Sequence, residues 1–270
     1  MQKSAVRELG FGGLLYYNIA YVPTTLAYWL LEHFDHLSCS LKLPNGEEIH
    51  IEDKDVELVL GFPRGEVEFE RSDRLRGLSY LETIPVDEEV DVSLMRTKPL
   101  QTEMMRDTEG GQWFRKIFLL LMETTLIETS PCGYVKPRIV DIIDDLPNVK
   151  NLNWCEYLLT NLIRTHKLLE KHKSKVFSGP IVFLVAFYVD RVVHCRRRVP
   201  RAIPRIKGWT STILSMREGN EMKEMNFGLC HVSGQHDTNE LESAEKNKRV
   251  DGVDLPLDGE MGNMRGVWEI

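Results

Sequence analysis

Two short alternating segments flanking Pro44-Asn45-Gly46 constrain this chain more than any other feature. Ser40-Leu41-Lys42-Leu43 and Glu48-Ile49-His50-Ile51 each interleave apolar and polar residues, which is the period of a strand with one buried face. A two-residue Asn-Gly loop would set Leu43 opposite Glu48 and divide the apolar residues between two faces. A type I turn with Pro44 at its second position and a left-handed Gly46 makes a three-residue loop instead. Leu41 then faces Ile49, and Leu41, Leu43, Ile49 and Ile51 share one face. A slip of one residue would expose half of that set, so the longer loop is expected. Two strands this short are not stable by themselves. The rest of the chain must supply the layer they pack on.

That layer reads as helical. Pro23 stands at a favoured helix start, with Leu26, Trp29, Leu30 and Phe34 following at helical spacing. Gly10, Gly12 and Gly13 interrupt the segment before it. Directly after the hairpin, Asp53 to Leu60 predicts an acidic helix with Val56, Val59 and Leu60 inward, ended by Gly61 and Pro63. Residues 64–110 are polar and suggest one or two short helices. Gln112 to Glu128 predicts a strong helix with Phe114, Ile117, Phe118, Leu121, Met122 and Thr125 on one face. A further helix is expected between Pro137 and Pro147. Asn153 with Glu156 three residues on reads as a capping box opening a helix from Trp154 to about His172. Gly179-Pro180 opens an apolar helix ending near His194, and a last helix is expected over Trp209 to Arg217.

Composition limits the alternatives. Apolar residues are 42% and charged residues 28% of the 270, an ordinary globular balance that excludes disorder throughout. The five cysteines are odd in number, widely spaced and without a CxxC pair, which predicts free thiols in a reducing compartment. The start of the chain shows no apolar signal region, and Ile181 to Val189 is too short to span a bilayer. No membrane partner is expected. Residues 231–270 hold nine acids, four bases and few aromatics, a composition that predicts a disordered tail.

Catalytic chemistry finds little support. Cys230-His231 and His236-Asp237 supply protease residue types, but at the edge of a polar tail with nothing to hold them in geometry. His33 and His36, and His166 and His172, are not spaced as zinc ligands on one element. The Gly10-Phe11-Gly12-Gly13 run lacks the strand before it and the Lys-Ser/Thr after it that a phosphate loop needs. It reads as a tight turn or a close helix contact. Asp144-Asp145 and Glu88-Glu89 read as solvated surface. No catalytic residue, no metal ligand and no cofactor is expected, and the chain is not expected to be an enzyme.

One feature stands above this background. The net charge is −7, yet residues 164–207 hold 12 bases against 2 acids, while residues 47–109 hold 18 acids against 8 bases. Arg191, Arg196, Arg197, Arg198, Arg201, Arg205 and Lys207 form a candidate basic surface for an acidic partner, either nucleic acid or an import receptor. Pro200 and Pro204 keep the run from being one helix, which favours phosphate contact over groove reading. The alternative is that the acidic and basic blocks neutralise each other inside the fold.

Several strings resemble a known family. They are Ala5-Val6-Arg7-Glu8-Leu9-Gly10-Phe11-Gly12-Gly13-Leu14, Tyr28-Trp29-Leu30, Phe34-Asp35, the hairpin-helix from Leu41 through Gly65, Asn153-Trp154-Cys155, and Tyr188-Val189-Asp190-Arg191. Together they are similar to the aminotransferase-like plant mobile domain over about residues 4–228, in the branch of transposon-derived plant proteins where it precedes a ubiquitin-like-protein cysteine protease. The resemblance implies a plant nuclear protein, otherwise a cytoplasmic one, with links to silencing or developmental regulation and no transferable catalytic residue. The expectation is therefore a mainly α protein: one helical domain over 1–228 with one small β-hairpin, and a disordered acidic tail over 229–270. Its expected role is a non-catalytic interaction module with a protein partner. The alternatives are a nucleic-acid-associated module using 191–207, or the N-terminal part of a protease that has lost its catalytic domain.

Overall fold

In the computed structural model, which describes residues 1–72, 74–84, 95–130, 132–173, 175–194, 199–224 and 227–234, helices build the body and two small sheets sit on it. The helices are α1 (Gln2–Glu8), α2 (Thr24–His33), α3 (Asp53–Leu60), α4 (Arg74–Leu81), α5 (Thr97–Arg106), α6 (Gln112–Met122), α7 (Val140–Ile143), α8 (Trp154–Lys171), α9 (Ile181–Arg191) and α10 (Ser211–Glu224). The first sheet is β1 (Phe34–Asp35), β2 (Ser40–Lys42) and β3 (Glu48–His50). The second pairs β4 (Val192–Val193) with β5 (His231–Val232). The fold is mainly α in a single helical domain, as expected.

The hairpin register follows the parity argument. Leu41 pairs with Ile49 and Lys42 with Glu48. Leu43 N–H donates to Glu47 O, Gly46 N–H donates to Leu43 O, and Gly46 is left-handed at φ 87. Leu41, Leu43, Ile49 and Ile51 are all buried. The sequence reading missed β1, which adds a third strand by pairing Phe34 with Leu41.

Helix α3 has its expected limits. Glu52 and Asp55 close its N-terminus reciprocally, and Gly61 ends it in the left-handed region at φ 70. The glycine run before α2 is a close packing site: a Cβ on Gly13 would stand 2.3 Å from Leu60 O. At the start of α8, Asn153 Oδ1 accepts from Glu156 N–H at 3.0 Å. The expected capping box is only half made, because the Asn153 N–H is engaged by Val67 O at 2.9 Å, and the Glu156 carboxylate meets the Asn153 side-chain amide instead.

Helix α6 is the centre of the core, with every residue from Ile117 to Met122 buried. Its strong helical pattern does not continue as α-helix to Glu128. Glu123–Ile127 form a π turn, closed by Glu128 N–H to Glu123 O at 2.8 Å. The helix expected from Pro137 starts only at Val140 and is followed by a 3₁₀ segment over Leu146–Asn151. Helix α10 begins at Ser211 and runs to Glu224, longer than its sequence pattern suggests.

The folded body extends past the boundary drawn at 228. Strand β5 pairs with β4, Ser233 N–H donates to Arg191 O at 2.7 Å, and Ser233 is buried. The expected tail begins later than position 229 for that reason, and residues 235–270, where its disorder is expected, lie outside the described residues. Among the described residues, no helix is long and apolar enough to cross a membrane.

Candidate functional site

The basic run is where sequence and structure part. Arg196, Arg197 and Arg198 lie outside the described residues. Arg201 and Arg205 are 9% and 1% exposed, and the surface expectation is corrected for them. The cause is local. The last carbonyls of a helix lack intrahelical donors, and Arg205 N–H and Ile206 N–H satisfy Leu58 O and Val59 O of α3 at 2.8 and 2.9 Å. The segment is thereby drawn inward, and Asp190 on α9 neutralises it. Arg201 holds Asp190 through two bonds, and Arg205 Nε lies 3.8 Å from the same carboxylate. Arg191 turns toward Asp55 at 3.3 Å and Ser233 O at 3.0 Å. Lys207 is exposed, with its ammonium 4.6 Å from the centre of the Tyr16 ring. For Arg191, Arg201 and Arg205, internal neutralisation is what the fold displays.

A cleft of about 230 Å³ lies beside the π turn. Tyr17–Val22 forms one wall, and the residues Thr124, Thr125, Thr129 and Ser130 of the π turn and its exit form another. Phe177, Ile181 and Val182 close it from the start of α9. The exposed side chains of Tyr21 and Val176 stand at its rim. Three of its hydroxyls are bonded to backbone: Thr125 donates to Leu121 O, Thr129 donates to Gly179 O, and Ser130 accepts from Tyr134 N–H. What remains toward the cleft is largely methyl and ring surface. Among the described residues, its lining contains no carboxylate, imidazole, thiol, ammonium or guanidinium.

On the other side of the π turn, Glu123 is fully buried. Tyr157 Oη donates to its Oε1 at 2.6 Å, and Arg138 N–H donates to Oε2 at 3.3 Å. Loss of water pushes the carboxyl up to about 8, outweighing the donors that favour the charged form. Nearby Glu128 stays paired with Arg71 and with Arg164 at 2.8 Å. These two carboxylates are packed away from the cleft and reach no open surface through it.

The fold also joins residues that sequence spacing keeps apart. His36 in the turn after β1, and His166 and Glu170 on α8, each offer a ligand atom within 4.8 Å of the other two. His36 Nδ1 is 3.1 Å from Glu170 Oε2, and His166 Nδ1 is 3.9 Å from Glu170 Oε1. Pairwise spacing along one helix could not reveal this set, since His36 comes from a different element.

Two thiols, Cys39 and Cys155, behave as structural groups. Burial pushes Cys39 up to about 11, with Asp55 adding to it, and pushes Cys155 higher still. Cys195 lies outside the described residues.

The family model described as a domain of unknown function (DUF8566) matches residues 1–185. The chain belongs to that family. No curated protein and no solved structure matches it. The DUF8566 match contains every residue lining the cleft and all three members of the histidine-glutamate cluster. The run from Arg191 to Lys207 lies beyond it.

Proposed function

We propose that this chain is a non-catalytic protein-interaction module whose working surface is the cleft beside the π turn, and that the cleft takes a large apolar side chain from a protein partner. The observation that carries this is the chemistry of the lining: methyls and rings, three hydroxyls bonded to backbone at Thr125, Thr129 and Ser130, and, among the described residues, no acid or base. The volume is below the roughly 300–1,000 Å³ of small-molecule sites, yet above the roughly 150 Å³ that holds benzene in an apolar cavity. A π turn forming one wall supports the reading, because such turns gather at functional sites. The strings that resemble the plant mobile domain support placing the module among transposon-derived plant nuclear proteins.

A nucleic-acid role for the basic run is the weaker reading, since Arg191, Arg201 and Arg205 are engaged by Asp55, Asp190 and backbone oxygens. The test is a library of short peptides screened on the full chain and on a Val182→Trp variant, which fills the cleft. Selected peptides should share a large apolar residue and lose binding to the variant. Peptides that bind both proteins equally would overturn the cleft as the working surface. Retention on DNA that falls with salt and weakens in Lys207→Ala would favour the second reading.

A further inference from the structure

We infer that His36, His166 and Glu170 form a binding site for a divalent ion of the zinc class. The inference stands independently of the interaction role. His166 carries the argument. It is 2% exposed, and its Nε2 lies 2.8 Å from Leu31 O. A carbonyl oxygen only accepts, so Nε2 bears the proton and Nδ1 presents a lone pair in the neutral ring. That Nδ1 is buried and has no hydrogen-bond partner, and the same holds for His36 Nδ1. Both atoms stand near the carboxylate of Glu170. The buried His166 lone pair, the His36 Nδ1 and the Glu170 carboxylate converge on a gap that a cation would satisfy.

The surroundings match what holds a metal. A ligating imidazole usually gives its other N–H to a backbone carbonyl, which fixes its tautomer and aim; Leu31 O on α2 does this for His166. Phe34 packs edge-on against the His166 ring at 5.0 Å and fixes its plane. His166 and Glu170 are one helical turn apart and share a face of α8. Zinc–nitrogen and zinc–oxygen bonds of roughly 2.0–2.2 Å place tetrahedral neighbours about 3.3 Å apart. The observed 3.1 and 3.9 Å bracket that spacing, and Glu170, at 55% side-chain exposure, has room to rotate inward. Imidazole with carboxylate suits zinc better than magnesium or calcium, which prefer all-oxygen sets. Three protein ligands leave a fourth position for water.

The experiment titrates the full chain, stripped with a chelator, with Zn²⁺ against a chromogenic competitor, and in parallel with Co²⁺ followed by visible absorption. The expected result is one equivalent bound, with the absorption of tetrahedral cobalt. His36→Ala and Glu170→Gln should each weaken binding by more than tenfold, while His50→Ala, at an exposed residue on β3, should leave it unchanged. Glu170→Gln alters an exposed side chain, and its melting curve separates lost ligation from lost fold. Failure of the wild-type chain to take up stoichiometric Zn²⁺, or equal uptake by the His36→Ala, Glu170→Gln double variant, would overturn the site. In the first case the three side chains meet without a metal; in the second the ion is held elsewhere.

Discussion

Arg201 grips Asp190 with both prongs of its guanidinium, Nε to Oδ1 at 2.9 Å and Nη2 to Oδ2 at 2.7 Å, with both side chains almost fully shielded from water. Arg201 also donates to Ser233 Oγ at 2.6 Å and Gly234 O at 3.1 Å. The pair therefore ties α9, the loop before α10 and the segment after β5 into one unit. A buried ion pair adds little net stability against an apolar replacement, but removing one partner leaves an uncompensated buried charge.

Asp190→Ala removes the buried carboxylate that faces both Arg201 and Arg205. It should lower unfolding stability by about 3–5 kcal/mol, read as a shift of the denaturant midpoint. A loss below about 1 kcal/mol would mean that water reaches the arginines and that they form part of a surface after all.

Glu123 gives the molecule a pH dependence of known sign. Its carboxyl is raised from 4.5 to about 8 in the fold, so between these values the folded state holds a proton that the unfolded state has released. Its contribution is fully present below about pH 4.5 and is lost as pH rises through about 8. The slope approaches but does not exceed about 1.4 kcal/mol per pH unit for one proton. Glu123→Gln keeps the shape and cannot ionise. Melting curves taken from pH 5 to pH 9 should fall more steeply for the wild type than for this variant. Parallel curves would show that Glu123 is charged throughout, held so by Tyr157, the Arg138 N–H and Arg71.

Two glycines separate backbone conformation from space. Gly46 has φ 87, and a Cβ there would meet nothing within 4 Å. Gly46→Ala therefore carries only the left-handed penalty, about 1 kcal/mol. Gly13 needs no unusual φ, but its Cβ would press on Leu60 O at 2.3 Å and Gly61 Cα at 2.8 Å. Both contacts are backbone and cannot swing aside. Gly13→Ala should cost about 3 kcal/mol, at the upper end of overpacking. Denaturant unfolding of the two variants should show that order; the reverse would mean that α3 shifts easily away from the Gly13 segment.

What could be read in the sequence was local. The Leu41–Ile49 register follows from a period of two, and the Asn153 cap from residues three apart. The burial of Arg201 and Arg205 was hidden because it depends on the end of α3, which lies far away in the chain, although Asp190 was visible as the one acid beside the run. His36 and His166 read as isolated because their meeting depends on how the α2–β1 corner packs against α8. The π turn left no periodic trace, since Thr124 and Thr125 fit an α-helical face equally well. The cleft needs three distant segments to exist at all. Local rules reached the elements, and the candidate sites arise only where those elements meet.

Cysteine accessibility provides the last check. Cys155 is 0% exposed, with its Sγ 3.5 Å from Phe62 O, and burial holds its thiol well above the ordinary range. The thiolate is the reactive form, so Cys155 should resist a water-soluble thiol reagent at pH 8 while the chain is folded. Cys132 is exposed and should react quickly. Cys155→Ser should leave the native count of reactive thiols unchanged and lower the count in denaturant by one. Fast labelling of Cys155 in the native chain would mean that the contact between α8 and the Phe62–Pro63 segment opens readily. Both walls of that contact bear on Trp154, whose indole packs edge-on against Phe11 at 5.1 Å and donates to Val149 O at 2.8 Å. Native labelling at Cys155 would therefore report loosening at the centre of the helical body rather than a reactive site.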